Sequence, residues 1–203
     1  MNEDVAERVT LHGLSLSNRA GALLIVDAPN VDAVVGTMLG RAPRRHERFD
    51  PSALSGWMEQ HAPDDAVERA LFTNVTSPMQ PGVEGWIKSL IDAGWRVFAR
   101  PKTKPQDDID EAMLAHLGAN TWKKVVVFSH DSRCFAGPLS ALADSGVAVT
   151  VLGFRESAGR LPVLTGVDFV DVEAVDGLYR GRLPRIRVTD LPPSGGWIER
   201  TVA

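Results

Sequence analysis

The sequence predicts an α/β fold, a three-layer, doubly wound parallel sheet of about five strands, and three observations carry that expectation. Short apolar runs (ALLIV at 22–26, KVVVF at 124–128, VAVTVL at 147–152) have the length and β-branched composition of strands buried on both faces. Between the runs lie segments with apolar residues at helical spacing, opened by a proline or closed by a glycine. Strand and helix alternate five times over short connections, which calls for parallel strands with helices on both faces.

The opening unit is ALLIVDAPNVD at 22–32. Ala22 to Val26 is one buried strand that stops on Asp27, and Val31, Val34, Val35 and Leu39 then recur at helical spacing. A polar loop, GRAPRRHERFD at 40–50, is too densely charged to be buried. Asp50-Pro51 reads as an N-cap with proline at the first helical position, and Leu54, Trp57 and Met58 face inward along a helix ending near His61. Val67 to Val75 is the second strand. Pro78 to Gly82 is a turn, and Val83, Trp86, Ile87, Leu90 and Ile91 make an amphipathic helix stopped by Gly94. Trp95 to Ala99 is the third strand, and the polar stretch RPKTKPQDD leads to a helix carrying Ile109, Met113 and Leu117 on one face. Lys124 to Phe128 is the fourth strand. Phe135, Leu139 and Leu142 mark the next helix, Gly146 closes it, and Val147 to Leu152 is the fifth strand. Phe169 to Val172 is a candidate short sixth. The expected organisation is an N-terminal arm at 1–20, one domain at 21–175, and an extended C-terminal segment at 176–203 that covers a sheet edge or mediates homodimerisation.

Composition bounds the function. At 203 residues, 44% hydrophobic and 24% charged, the chain can bury a substantial core without staples. A net charge of −4 does not by itself mark a polyanion partner, so a nucleic-acid contact has to come from a local basic patch. The single cysteine, Cys134, excludes an intramolecular disulfide and fits a reducing compartment. No apolar run approaches the ~18 residues of a membrane span. The acidic start MNEDVAERV lacks the pattern of a signal peptide, so a cytoplasmic protein with no membrane partner is expected.

Parallel strands end on a common edge, and that edge collects acids. Asp27 closes strand one and Asn30 opens its helix; Asp107, Asp108, Asp110 and Glu111 open the helix after strand three; Asp131 follows strand four. Carboxylates gathered there repel one another unless a cation intervenes, and a hard divalent cation, Mg²⁺ or Mn²⁺, takes oxygen ligands of this kind. Such an ion activates water and neutralises charge on a phosphodiester. Each acid also has a plainer role open to it, as an N-cap or as a favourable charge at a helix start. No Cys/His set has zinc spacing, and no glycine-rich phosphate loop follows a strand.

Three blocks carry a family resemblance. IVDAPNVD resembles the D-x-x-N opening of NYN domains, the PIN-like nuclease group that includes LabA-type proteins. KPQDDIDEAML resembles the second acidic block of that family, with Ile109-Asp110 its nearest match. VVVFSHDSRCFAGPLSALADSGVAVTVLGF resembles the third, in which a strand ends in Ser-x-Asp. The resemblance spans roughly residues 22–171. It implies a PIN-like fold and metal-dependent cleavage of RNA, single-stranded or structured. Asp27, Asp110 and Asp131 would bind metal, Asp108 would be a further ligand, Asn30 would orient a ligand or metal-bound water, and Ser129 would support the site. Ser132, Arg133 and Cys134 follow Asp131 where family members often carry a second Asp. His116 stands near the place of another frequent acid.

Around the acids, Arg41, Arg44, Arg45 and Arg48 in the polar loop, with Lys102 and Lys104 before the second acidic block, are the candidate RNA-binding residues. Trp57, Trp86 and Trp95 fall on core periodicities and read as packing residues. The leading expectation is a Mg²⁺- or Mn²⁺-dependent ribonuclease. The alternative is a catalytically weak or inactive PIN-like module that binds RNA or a protein, favoured by the departures after Asp131 and at His116. A haloacid-dehalogenase-type phosphatase would need an Asp two residues after Asp27, where Pro29 stands.

Overall fold

A computed structural model describes residues 21–104 and 107–197; the expected arm at 1–20 and the end of the tail at 198–203 lie outside them. Six strands, one more than the five read with assurance from the sequence, form one parallel sheet in the order β3-β2-β1-β4-β5-β6. They are β1 (Gly21–Asp27), β2 (Val67–Val75), β3 (Arg96–Pro101), β4 (Trp122–Phe128), β5 (Ala148–Gly153) and β6 (Val167–Asp171). Five α-helices connect them: α1 (Ala28–Leu39) and α2 (Pro51–His61) between β1 and β2, α3 (Pro81–Asp92), α4 (Asp110–Gly118) and α5 (Ser132–Asp144). The short sixth strand pairs with β5 from Val149↔Val167 to Gly153↔Asp171, so the candidate at 169–172 is real and begins two residues earlier.

Side-chain alternation along β1 and β4 divides the core in two. Leu24 and Val26 of β1, with Val126 and Phe128 of β4, face α1, α2 and α3 through Val31, Val35, Leu54, Met58 and Leu90. Leu23 and Ile25, with Val125 and Val127, face α4 and α5 through Met113, Leu117, Phe135 and Leu139. Every residue of β1 is buried, which is why its sequence reads as an uninterrupted apolar run. Burying each of those leucines and isoleucines contributes about 1.5–3 kcal/mol. The expected packing role of the tryptophans holds: Trp57 and Trp95 are buried, and Trp86 packs against the same cluster.

The sequence signals at the helix ends act as read. Asp50 caps α2, its Oδ1 accepting from the backbone N–H groups of Ser52 (2.8 Å) and Ala53 (3.3 Å). Gly40 ends α1 at φ 67°, a left-handed conformation that suits glycine. The C-terminal segment is more tightly integrated than an appendage. Leu178 is buried, Tyr179 and Leu183 pack on the core, and the Leu178 carbonyl accepts from the Asp50 N–H at 2.7 Å.

The order of strands fixes where a site can form. Helices α1–α3 lie on one face and α4–α5 on the other, so the chain changes face between β1 and β4. Doubly wound sheets bind their ligands in the crevice outside the strands' C-terminal ends at such a switch point. Here the residues at that crevice are Asp27 and Ser129.

Candidate functional site

Asp27 is the last residue of β1 and is 4% exposed. Its Oδ2 accepts from Ser129 Oγ at 2.9 Å, across the β1–β4 pair, and its Oδ1 accepts from the Asn30 N–H at 3.2 Å. Ser129 Oγ in turn accepts from the Asp131 N–H at 3.2 Å. Asp131 caps α5, its Oδ1 accepting from Arg133 (2.8 Å) and Cys134 (3.1 Å). Asp108 Oδ1 plays a similar part ahead of α4, accepting from the Ile109 N–H at 2.7 Å. The capping role and the convergence on one rim are therefore the same fact. Three acids are oriented by helix starts, and the helix starts share an edge.

Their electrostatics show mutual proximity. Burial pushes the Asp27 carboxyl up to about 6, against the hydrogen bonds from Ser129 and Asn30, with the charges of Asp131 and Asp108 adding to the rise. Asp110 also rises to about 6, first through desolvation and then through Asp108, with which it shares a hydrogen bond, and through Asp27 and Asp131. Cys134 feels all four acids on top of its own burial and is pushed up to about 12, which leaves it an inert thiol. No Lys or Arg side chain forms an ion pair with Asp27, Asp108, Asp110 or Asp131 among the described residues. Arg100 lies close by: its guanidinium donates to the backbone oxygen of Asp108 and lies 3.9 Å from Asp107 Oδ1.

Two acidic-block residues part company with the others. Asp107 holds the turn before α4, its Oδ2 accepting from Thr103 N (2.8 Å), Thr103 Oγ1 (2.7 Å) and Lys104 N (2.7 Å), and these bonds lower its pKa. Glu111 is exposed on α4. His116 lies outside the cluster altogether, 2.8 Å from Glu68 Oε1 near the start of β2 and hence toward the opposite edge of the sheet.

The donor set is all oxygen, negatively charged and, among the described residues, without a paired cation, which in chemistry and charge suits Mg²⁺ or Mn²⁺. Among the described residues, however, no three His, Cys, Asp or Glu side chains stand close enough together to form a ready ion-binding group. An ion binding here would draw the carboxylates inward or bridge some of them through water, as Mg²⁺ commonly does.

The basic residues divide as well. Arg41 follows α1, a 12-residue helix about 18 Å long, and is tied to Glu47 (2.5 and 2.7 Å). The loop then climbs back, and Arg48 pairs at 3.1 Å with Asp32 in the first turns of α1. Arg44 and Arg45 are exposed, as are Lys102 and Lys104 beyond β3. Arg133, in the first turn of α5, is an exposed cation on the rim itself that residue-type reasoning passed over.

His130, beside Asp131 in the sequence, reads there as a proton shuttle or as a residue that supports the site or lies exposed; the structure buries it. It is 5% exposed, and burial holds its pKa down to about 4, so the ring is neutral. Phe154 stacks on it with ring centroids 5.4 Å apart and planes at 10°. The end of β5 passes so close that a Cβ on Gly153 would lie 3.2 Å from the ring. Nothing in SHD marked this, because the partners come from Asn30, Gly153 and Phe154, far off in sequence.

No family model matches the chain, and no curated protein does. The crystal structure of a protein of unknown function from Vibrio parahaemolyticus is similar in fold, with a TM-score of 0.51 and 16% identity over 77% of this chain and 94% of that one. At that identity the likeness concerns the fold alone.

Proposed function

We propose that the rim formed by Asp27, Asp108, Asp110 and Asp131 binds Mg²⁺ or Mn²⁺ and that the protein hydrolyses RNA phosphodiester bonds there. The observation that carries this reading is the gathering of acids from three separate strand–helix junctions on one rim with no ion-paired cation among the described residues, where burial first and the neighbouring carboxylates second raise Asp27 and Asp110 each to about 6. A stable fold has little reason to keep such a cluster unless something positive is meant to enter it. A bound ion would supply Lewis-acid activation of water and neutralise phosphodiester charge. The protein's own contribution is orientation. Ser129 and the α1 N-terminus aim Asp27, the α5 N-terminus aims Asp131, and Arg133, Lys102 and Lys104 offer cations for the flanking phosphates. The NYN-like blocks in the sequence support the same reading.

The test is a mixed RNA pool incubated with the full chain and Mn²⁺. Cleavage is expected with the metal, none with a chelator, and none with Asp27→Asn or Asp110→Asn. Cleavage that survives chelation or either substitution would defeat the proposal. The pH dependence has a fixed sign: a protonated carboxyl does not bind the ion, so kcat/KM should rise as pH climbs through about 6 and level off above it. A profile flat from pH 5 to 8 would contradict carboxyls with raised pKa values as ligands.

A second reading has its own observation. Because no three acids form a ready ion-binding group among the described residues, a module that binds RNA or a protein without cleaving is supported too. RNA binding that persists across several divalent metals with no product would select it.

A further inference from the structure

Both ring nitrogens of His130 are engaged, and the bonds fix which way Asn30 faces. The backbone N–H of Phe154 meets Nε2 at 2.9 Å. A backbone N–H can only donate, so Nε2 is the bare nitrogen and the ring proton sits on Nδ1. Nδ1 lies 3.0 Å from Asn30 Oδ1, and the backbone N–H of His130 reaches the same oxygen at 2.8 Å. Turning the Asn30 amide round would set its NH₂ against two N–H donors. Its carbonyl oxygen, with both lone pairs taken, is therefore spent, and the NH₂ is the end left for the rim.

We infer that His130 is a positioning residue that holds Asn30 as a hydrogen-bond donor to an anionic oxygen of the bound phosphodiester, and that Asn30 is not a metal ligand. The inference rests on reading the rim as an RNA-hydrolysing metal centre, and it assigns Asn30 to substrate rather than to the ion. The seat of His130 is made rigid from behind. Phe154 stacks on the ring, and the Arg185 guanidinium lies 5.1 Å from the Phe154 ring centroid. Arg185 is itself held by Glu156 and Asp171.

Two measurements on the full chain decide it. Ring ¹⁵N spectra of labelled protein, with the His130 signal assigned by its loss in His130→Asn, are expected to report the Nδ1–H tautomer; an Nε2–H tautomer would overturn the inference. In kinetics, His130→Ala is expected to lower kcat/KM for a single-stranded RNA about tenfold or more, the loss of one hydrogen bond to a charged oxygen, while the Mn²⁺ Kd from calorimetry moves less than about twofold. His130→Asn, whose amide nitrogen stands where Nδ1 does, should recover to within about threefold of wild type. A fall in Mn²⁺ affinity matching the loss of kcat/KM, or a His130→Asn variant no better than His130→Ala while both keep the wild-type melting profile, would overturn it. A wild-type chain that binds Mn²⁺ but cleaves no RNA would instead defeat the nuclease reading, and the tautomer spectrum tells the two failures apart.

Discussion

Asp27→Asn is expected to silence the site and to make the ion-free protein more stable. The loss of cleavage should exceed the roughly 10–100-fold that follows removal of a residue supporting a metal ligand. The stability gain follows from linkage. The Asp27 carboxyl titrates near 6 in the folded chain against 3.8 when unperturbed, so the folded state holds its proton more tightly than the unfolded state does. Above about pH 6 the group is charged in both states, and the folded state bears the full cost of the buried charge, on the order of 2–3 kcal/mol. As pH falls through that range the folded form takes up its proton and the cost fades. The amide removes a penalty that is present at neutral pH and absent in acid. Thermal unfolding near pH 7.5 should therefore shift upward by several degrees, and the shift should shrink toward pH 4. Were Asp27 only the cap of α1, asparagine would serve equally well in that role and cleavage would persist, while the stability gain, which follows from burial alone, would remain.

The second large effect lies behind the rim, beneath the Phe154 ring that stacks on His130. Arg185→Ala should destabilise the fold by about 3 kcal/mol, the low end of the cost of breaking a buried ion pair from one side, because the carboxylate partners are partly exposed. The Arg185 side chain is 2% exposed, with Asp171 at 2.6 Å, Glu156 at 2.5 Å and Glu173 at 3.5 Å. Removing the cation leaves those carboxylates facing one another under Phe154. Arg185→Lys should recover little, because a point charge cannot bond two carboxylates in parallel pairs. The melting temperature is expected to drop roughly 10 °C for the alanine variant. A change of a degree or two would mean that the C-terminal segment does not anchor the β5–β6 edge.

What the sequence made legible was local. The uninterrupted apolar runs of β1 and β4 are legible because both faces of those strands are covered, and Asp50-Pro51 fixes the start of α2 through two short-range bonds to its own backbone. Asp27 stood out for a related reason: a charge directly after five apolar residues must sit where the sheet ends. The short sixth strand was harder to see because VDFVD is half polar and relies on a single neighbour, β5. Pairing across the chain left no local trace. Nothing in 41–48 tells which arginines are taken by Glu47 and Asp32, and nothing in RLPRIR at 182–187 says that the Arg185 side chain is covered by its partners. The acidic block at 107–111 shows the same limit. Composition offers four carboxylates there, but only the fold sorts Asp107 into a turn, Glu111 into solvent, and Asp108 with Asp110 into the cluster.

Calorimetric titration of Mn²⁺ into the metal-free full chain, beside the same titration into Asp27→Asn, addresses the acidic rim without intermediaries. Wild type is expected to bind, and near pH 6 to release protons on binding, because Asp27 and Asp110 are then partly protonated. The variant is expected to give no binding heat. A wild-type chain that takes up no Mn²⁺, or a variant whose isotherm matches it, would mean that these carboxylates do not hold a divalent ion.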